Sequence, residues 1–378
     1  MKYLRALSAL VISLAVLFAL LCPALAAPVG ADDAASLAPS AKSAVLADVS
    51  RGVLYAKNAA ERLPMASTTK IMTALVVLEN LPLDRKITAV AETCGVEGSS
   101  IYMTPGEVFT AEELLFATLL QSANDAAALL AMETAGSVGA FADMMNEKAA
   151  ALGLSDTRFE NPHGLDSDGH YTSAADLCAL TCAALQNAKF REIVSTVRRV
   201  IGEGESARTL VNHNRMLTTY DGAIGVKTGF TKKSGRCLVS AAERDGVTLV
   251  AVTLNDPDDW KDHCAMLDYG FAGLESVVLC EAGALFRDVP CTGGTAPSVR
   301  IENSEALSAT LPRSHGAITV TVYAPHFVFA PVEAGDALGT AVFRCDGREI
   351  GRCALVAAGS SEYIQKKGFF ERLLDLYR

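Results

Sequence analysis

The chain has 378 residues, 50% of them apolar and 20% charged, with a formal charge of −10. That balance excludes a disordered chain and fits one that folds around a core. No basic stripe is present, and the acidic excess argues against nucleic acid as a partner.

The first residues have the layout of a secretory signal peptide. Lys2 and Arg5 precede an uncharged run over residues 6–21, and Ala24-Leu25-Ala26 places small residues before a cleavage point at Ala27. A retained membrane anchor is the competing reading, but the run is short for a spanning helix. Lipid attachment at Cys22 is opposed by bulky Leu21 just before it. Residues 1–26 are therefore expected to leave on export. The roughly 350 residues that follow exceed one ordinary core, which predicts two domains.

Of ten cysteines, Cys22 falls in the leader, and the odd remainder cannot all pair internally. Cys178 and Cys182 lie four apart in an expected helix, as packing residues on one face. Cys280 with Cys291, or Cys345 with Cys353, are the pairings open to an oxidising compartment. No Cys-x-x-Cys or His-Glu-x-x-His string occurs, so neither a metal nor a cofactor is expected.

Residues 44–49 and 53–56 read as a hairpin turning at Ser50-Arg51-Gly52. After Pro64 a helical pattern begins, with Met72, Leu75 and Val76 following Ser67. A second helix starts at Thr110, where Glu113 completes a capping box. Asn124 and Asp125 break the apolar pattern before helices over 126–132 and 140–151. A polar loop, Asn161-Pro162-His163-Gly164-Leu165, runs on to His170, and a helix over 174–186 follows. Strands at 223–230, 236–243 and 247–254, the last two joined by Arg244-Asp245-Gly246, form an antiparallel group. A closing helix over 261–271 should turn Cys264 and Leu267 inward. Beyond residue 276, short runs separated by Pro, Gly and Asp, with turns at Glu333-Ala334-Gly335-Asp336 and Asp346-Gly347, predict a small all-β domain.

Three short strings carry the chemistry. In Ser67-Thr68-Thr69-Lys70 the serine and lysine sit at i and i+3 and share a helical face. A serine hydroxyl is a weak nucleophile without a base, and a buried lysine beside another cation can be that base. A capped helix start with a solvated lysine would leave the same string. In Ser122-Ala123-Asn124, Ser122 can relay a proton and Asn124 can hold a substrate backbone or the lysine amine; Asp125 reads as a cap or structural contact. In Lys227-Thr228-Gly229 on a strand, Lys227 and Gly229 share one side. Gly229 leaves room for a substrate, and the next N–H, of Phe230, can serve an oxyanion. An interhelical loop and an edge strand with a solubilising lysine are the bland readings of these two strings. Their order together is a signature of serine acyl-transfer enzymes that react with penicillin.

With the longer strings around them, from Leu63-Pro64-Met65-Ala66 to Ile71-Met72-Thr73-Ala74, Gly169-His170-Tyr171-Thr172-Ser173-Ala174 and Val226-Lys227-Thr228-Gly229, the chain resembles the low-molecular-mass penicillin-binding proteins that act as serine D-alanyl-D-alanine carboxypeptidases. The likeness spans about residues 40–275 well and the β-rich remainder loosely.

The resemblance implies an α+β penicillin-binding/β-lactamase-like domain over 27–275 and a small β-rich domain over 276–360. It implies that Ser67 attacks the carbonyl between the terminal D-alanines of peptidoglycan stem peptides, that Lys70 takes its proton, and that Ser122, aided by Lys227, returns one to the leaving D-alanine. Asn124 would position the peptide, Lys227 and Thr228 would meet its carboxylate, Gly229 would make room for it, and the N–H groups of Ser67 and Phe230 would form the oxyanion hole. Penicillins would acylate Ser67 as substrate mimics. Phe230 stands where relatives often carry histidine. Proton transfer by His163 or His170 is the sharper reading of those two side chains, and loop-ordering hydrogen bonds the blander one.

The C-terminal 361–378 reads as an amphipathic helix with Phe370, Leu373, Leu374 and Tyr377 on one face and Lys366, Lys367, Arg372 and Arg378 nearby. It would hold an anionic membrane surface or pack on the β domain. The protein is thus expected at the outer face of the cytoplasmic membrane or in the cell wall space. Other functions weighed are a D,D-endopeptidase on crosslinks, a β-lactamase, opposed by the lack of a Glu-x-x-Leu-Asn string, and a non-catalytic wall-binding protein, opposed by the intact serine and lysine.

Overall fold

The computed structural model describes residues 37–364. The expected leader, residues 1–26, and the apolar stripe from Phe370 to Tyr377 lie outside the described residues. The chain divides into two compact units between Ala272 and Gly273.

The first unit is built on a five-stranded antiparallel sheet. Its strands are β1 (Ser43–Asp48), β2 (Gly52–Lys57), β7 (Ala223–Thr231), β8 (Gly235–Arg244) and β9 (Val247–Leu254), in the order β2-β1-β9-β8-β7. The N-terminal hairpin completes the later sheet because β1 pairs with β9 from Ser43↔Leu254 to Asp48↔Leu249. Gly52, at φ +91°, makes the hairpin turn that glycine permits. β7 is left at the edge of the sheet.

The helical block is organised around helix α1 (Lys70–Asn80). All residues from Lys70 to Val77 are buried, so this stretch of the helix is covered on every side and lies at the centre of the block. It packs against α2 (Ala111–Leu120), α3 (Asn124–Ala135), α4 (Val138–Ala151), α5 (Ala174–Ala184) and α6 (Ala188–Ser195). α5 in turn lies against β1 and β9, joining the block to the sheet. The capping box is formed: Glu113 N donates to Thr110 Oγ1 at 3.2 Å, and Thr110 N to Glu113 Oε2 at 2.8 Å.

Several elements depart from the sequence reading. Ser67 lies in a 3-10 turn, Ala66–Thr69, and the α-helix begins only at Lys70. Helix α6 and the short hairpins β3 (Lys86–Thr88)/β4 (Val108–Thr110) and β5 (Arg198–Ile201)/β6 (Arg208–Val211) were not anticipated. Strands of three or four mixed residues carry too little alternation to be recognised. In the helix Asp259–Gly273, Leu267 points inward but Cys264 is only half-buried. His263 takes the interior position, bonded to Ser240 Oγ and, at 3.0 Å, to Thr253 Oγ1.

The second unit is all β: a two-stranded sheet, Leu274–Cys280 with Leu307–Pro312, and a six-stranded sheet whose core includes Val289, Ile301, Phe343 and Leu355. Asp346 and Gly347 turn at φ +49° and +77° between its two longest strands, and Gly335 turns at φ +92°. The expected helix does not begin at 361, since Ser361 bridges to Val332 and Tyr363 to Gly294. Extended pairing satisfies those backbone groups instead. Neither cysteine pairing is formed; Cys280, Cys291, Cys345 and Cys353 are free thiols. No described helix is long and apolar enough to cross a membrane.

Candidate active site

The first string folds so that serine and lysine meet. Met65 rather than Ser67 precedes the 3-10 turn, and Ala66 takes a left-handed φ of +48°. Ser67 is thereby freed from a capping role, and its Oγ lies 2.9 Å from Lys70 Nζ. Lys70 is the first residue of α1 and is fully buried.

The second string supplies the next partner of the amine. Asn124 starts α3, and its Oδ1 accepts from Lys70 Nζ at 2.7 Å. Its Nδ2 donates to Glu97 O at 2.5 Å, and its backbone N to Ser99 O at 2.7 Å. A carbonyl can only accept, so Glu97 sets which end of the amide faces Lys70. Ser122 is buried with φ +59°. Asp125, fully buried, accepts from Ser100 Oγ at 2.6 Å and from the N–H groups of Ile101 and Met103 at 3.2 Å. It is the structural contact its position suggested, tying loop 97–103 to the start of α3.

The third string lies on the edge strand. Lys227 is buried and its Nζ donates to Thr228 O at 2.8 Å. A Cβ on Gly229 would stand 3.0 Å from Ser67 N and 3.1 Å from Ala66 Cβ, so only glycine lets β7 lie this close to the serine turn. Thr228 is half-buried, and Phe230 is 66% exposed. The structure does not join Ser122 to either lysine by a hydrogen bond; the bonds of the lysine amines run to Ser67, Asn124, His163 and Thr228.

One partner of the lysine was invisible in the sequence. Lys70 Nζ also donates to the backbone carbonyl of His163 at 2.5 Å. The carbonyl is aimed by its loop: Thr73 Oγ1 on α1 donates to Pro162 O at 2.6 Å, and Gly164 N donates to Asn161 Oδ1 at 2.7 Å. The string Asn161-Pro162-His163-Gly164-Leu165 marked this loop, but no residue type announces a backbone acceptor.

Electrostatics favour a neutral amine at Lys70. Burial pushes its pKa well below the usual lysine range, the charge of Lys227 lowers it further, and Asp125 opposes them. The positive end of α1 acts in the same direction as Lys227. Burial also lowers Lys227 to about 7. His163 is held neutral, its pKa lowered to about 3 by burial, then by Lys70 and His170.

A family model described as D-alanyl-D-alanine carboxypeptidase, peptidase S11, matches residues 31–258. The chain belongs to the D-alanyl-D-alanine carboxypeptidase family. It is 32% identical over 345 residues to D-alanyl-D-alanine carboxypeptidase DacF of Bacillus subtilis, covering 88% of each chain. It is 31% identical over 363 residues to D-alanyl-D-alanine carboxypeptidase DacC of Escherichia coli, covering 89% of this chain and 88% of the other. Among solved structures it superposes on penicillin-binding protein 5 of Haemophilus influenzae with a TM-score of 0.66 and 25% identity, over 85% of this chain and 98% of the other. As a carboxypeptidase of the serine type, this chain is an enzyme of the penicillin-binding fold, with the all-β unit following the catalytic one.

Proposed function

We propose that Ser67 is the nucleophile of this D-alanyl-D-alanine carboxypeptidase and that Lys70 is its base. The observation that carries the reading is the surroundings of Lys70 Nζ, with Ser67 Oγ at 2.9 Å, Asn124 Oδ1 at 2.7 Å and His163 O at 2.5 Å. A neutral amine has two N–H donors and one lone pair. Asn124 and His163 can only accept at the atoms facing it, so they take both donors and leave the lone pair for the Ser67 hydroxyl proton.

In the proposed reaction Ser67 Oγ bonds to the carbonyl carbon between the last two D-alanines of a peptidoglycan stem peptide, and its proton moves to Lys70. The N–H groups of Ser67 and Phe230 receive the oxyanion, worth about 3 kcal/mol per donor. The C–N bond then breaks as Ser122 passes its proton to the departing D-alanine and takes one from protonated Lys70, which leaves that amine neutral again. Lys227 and Thr228 meet the terminal carboxylate, and Asn124 positions the peptide with Gly229 leaving it room. Water then loses a proton to the same amine and bonds to the ester carbonyl carbon, the bond to Ser67 Oγ breaks, and the amine returns that proton to Ser67. A β-lactam enters by the same attack, its ring amide standing in for the peptide bond.

The reading places the enzyme outside the cytoplasm, with peptidoglycan as its substrate and the Phe370, Leu373, Leu374 and Tyr377 stripe resting on anionic lipid. Intact-protein mass spectrometry with benzylpenicillin tests the chemistry. One adduct is expected, mapped to Ser67, absent in Ser67→Ala and strongly slowed in Lys70→Ala. An adduct persisting in Ser67→Ala, or parental acylation in Lys70→Ala, would overturn the assignment.

A further inference from the structure

Beyond the groups around Lys70, a buried imidazole fastens the serine turn to the loop that aims His163. His170 Nδ1 accepts from the backbone N–H of Glu160 at 3.0 Å, and its Nε2 lies 2.7 Å from Thr69 Oγ1. A backbone N–H can only donate, so Nδ1 carries no proton and the neutral ring has its hydrogen on Nε2. Nε2–H therefore donates to Thr69, and the single hydroxyl proton of Thr69 goes on to Ala66 O at 2.8 Å. The chain of bonds has one direction: Glu160 N–H to His170, His170 to Thr69, Thr69 to the carbonyl of Ala66.

That carbonyl belongs to the residue immediately before Ser67. Ala66 holds φ +48°, a conformation that costs an L-residue about 1–2 kcal/mol and persists only where the surroundings impose it. Thr69 is fully buried and His170 nearly so, its ring in a T-shaped contact with Phe159 at 5.9 Å between centroids. Burial holds the imidazole neutral and lowers its pKa to about 4, against the charges of Glu160 and Asp166, which raise it; Lys70 adds to the lowering. His170 also stands in the loop that carries His163, whose carbonyl faces Lys70.

We infer that His170 is a positioning residue of the acylation step, acting through Thr69 on the Ala66 peptide to aim Ser67 while its own loop aims the acceptor of Lys70. It touches neither substrate nor the reacting atoms. The inference rests on Ser67 being the nucleophile.

A double-mutant cycle tests it, using His170→Phe, Thr69→Val, the pair together, and His170→Gln, whose amide can still donate to Thr69. The readouts are the benzylpenicillin acylation rate, and kcat and KM on a D-alanyl-D-alanine peptide. Displacing a nucleophile by a fraction of an ångström to 1 Å costs up to about a hundredfold. Each of the first two variants should slow acylation about ten- to a hundredfold, in kcat rather than KM. The double variant should be no slower than the worse single one, because both remove the same bond. His170→Gln should recover most of the rate. Multiplying losses in the double variant, or parental acylation in Thr69→Val, would overturn the proposal; Thr69→Val and His170→Gln carry the test if His170→Phe does not fold. An adduct in Ser67→Ala would instead remove the nucleophile assignment, and a Ser67 adduct with independent effects in the cycle would remove His170 alone.

Discussion

Gly164→Ala separates two costs that a glycine can hide. Gly164 sits at φ +90°, and a Cβ there would overlap the carbonyl of Ala66 and approach Thr69 Oγ1 to 2.9 Å. Gly106 has nearly the same backbone, φ +94°, with nothing within 4 Å of its Cβ position. Alanine at Gly106 therefore bears only the left-handed strain, about 1–2 kcal/mol. Alanine at Gly164 bears that strain and a collision with backbone that a rotamer change cannot relieve, adding about 1–3 kcal/mol. The loop must also withdraw from the serine turn, taking the His163 carbonyl from Lys70. The assay is urea unfolding of the catalytic unit, read as loss of penicillin acylation capacity, with the acylation rate measured before unfolding. Gly106→Ala should lower stability modestly and leave the rate within about twofold. Gly164→Ala should lose about 2–5 kcal/mol and slow acylation at least about tenfold. Equal stabilities for the two variants, or a parental rate in Gly164→Ala, would refute the claim that this loop sets the base.

Three further outcomes are expected. Asp125→Ala leaves Ser100 Oγ and the N–H groups of Ile101 and Met103 without their buried acceptor, so it should cost about 2–4 kcal/mol in the same urea assay, and Asp125→Asn less. His163, His170 and His263 are buried neutral, with folded pKa values near 3, 4 and 3, below the unfolded value of about 6.5. Their contribution is complete above pH 6.5 and is lost as pH falls toward those folded values, so the urea midpoint should be lower at pH 4.5 than at pH 7.5. An unchanged midpoint would argue against neutral burial. Truncation after Ile364 keeps its N–H bond to Gly293 O at 2.8 Å, and should weaken flotation with anionic vesicles without altering hydrolysis of a small D-alanyl-D-alanine peptide. Equal flotation of full-length and truncated protein would end the lipid reading.

Much of the fold was legible because its cues are local. The continuous apolar runs of β8 and β9 around Arg244-Asp245-Gly246, the Thr110/Glu113 box and the apolar run of α1 each specify their element from a few adjacent side chains. Where the pattern was short or mixed, as in the hairpins at Lys86 and Arg198, local cues were too few. The inward side of the helix Asp259–Gly273 was misread because hydrophobicity ranked Cys264 above His263, while Ser240 and Thr253 offered the histidine partners that only the sheet brings near.

The three strings, their order and their residue types are legible in the chain, because the serine, lysine and asparagine that meet in the site are side chains and side chains are what a sequence spells out. What surrounds them comes only from the fold. Burial of Lys70 beside Lys227, the His163 carbonyl on its amine, the Glu97 carbonyl that orients Asn124 and the left-handed Ala66 before Ser67 all arise from backbone groups and from residues far apart in sequence. Every residue carries the same carbonyl and N–H, so composition and spacing cannot say which of them the fold will aim at a lysine.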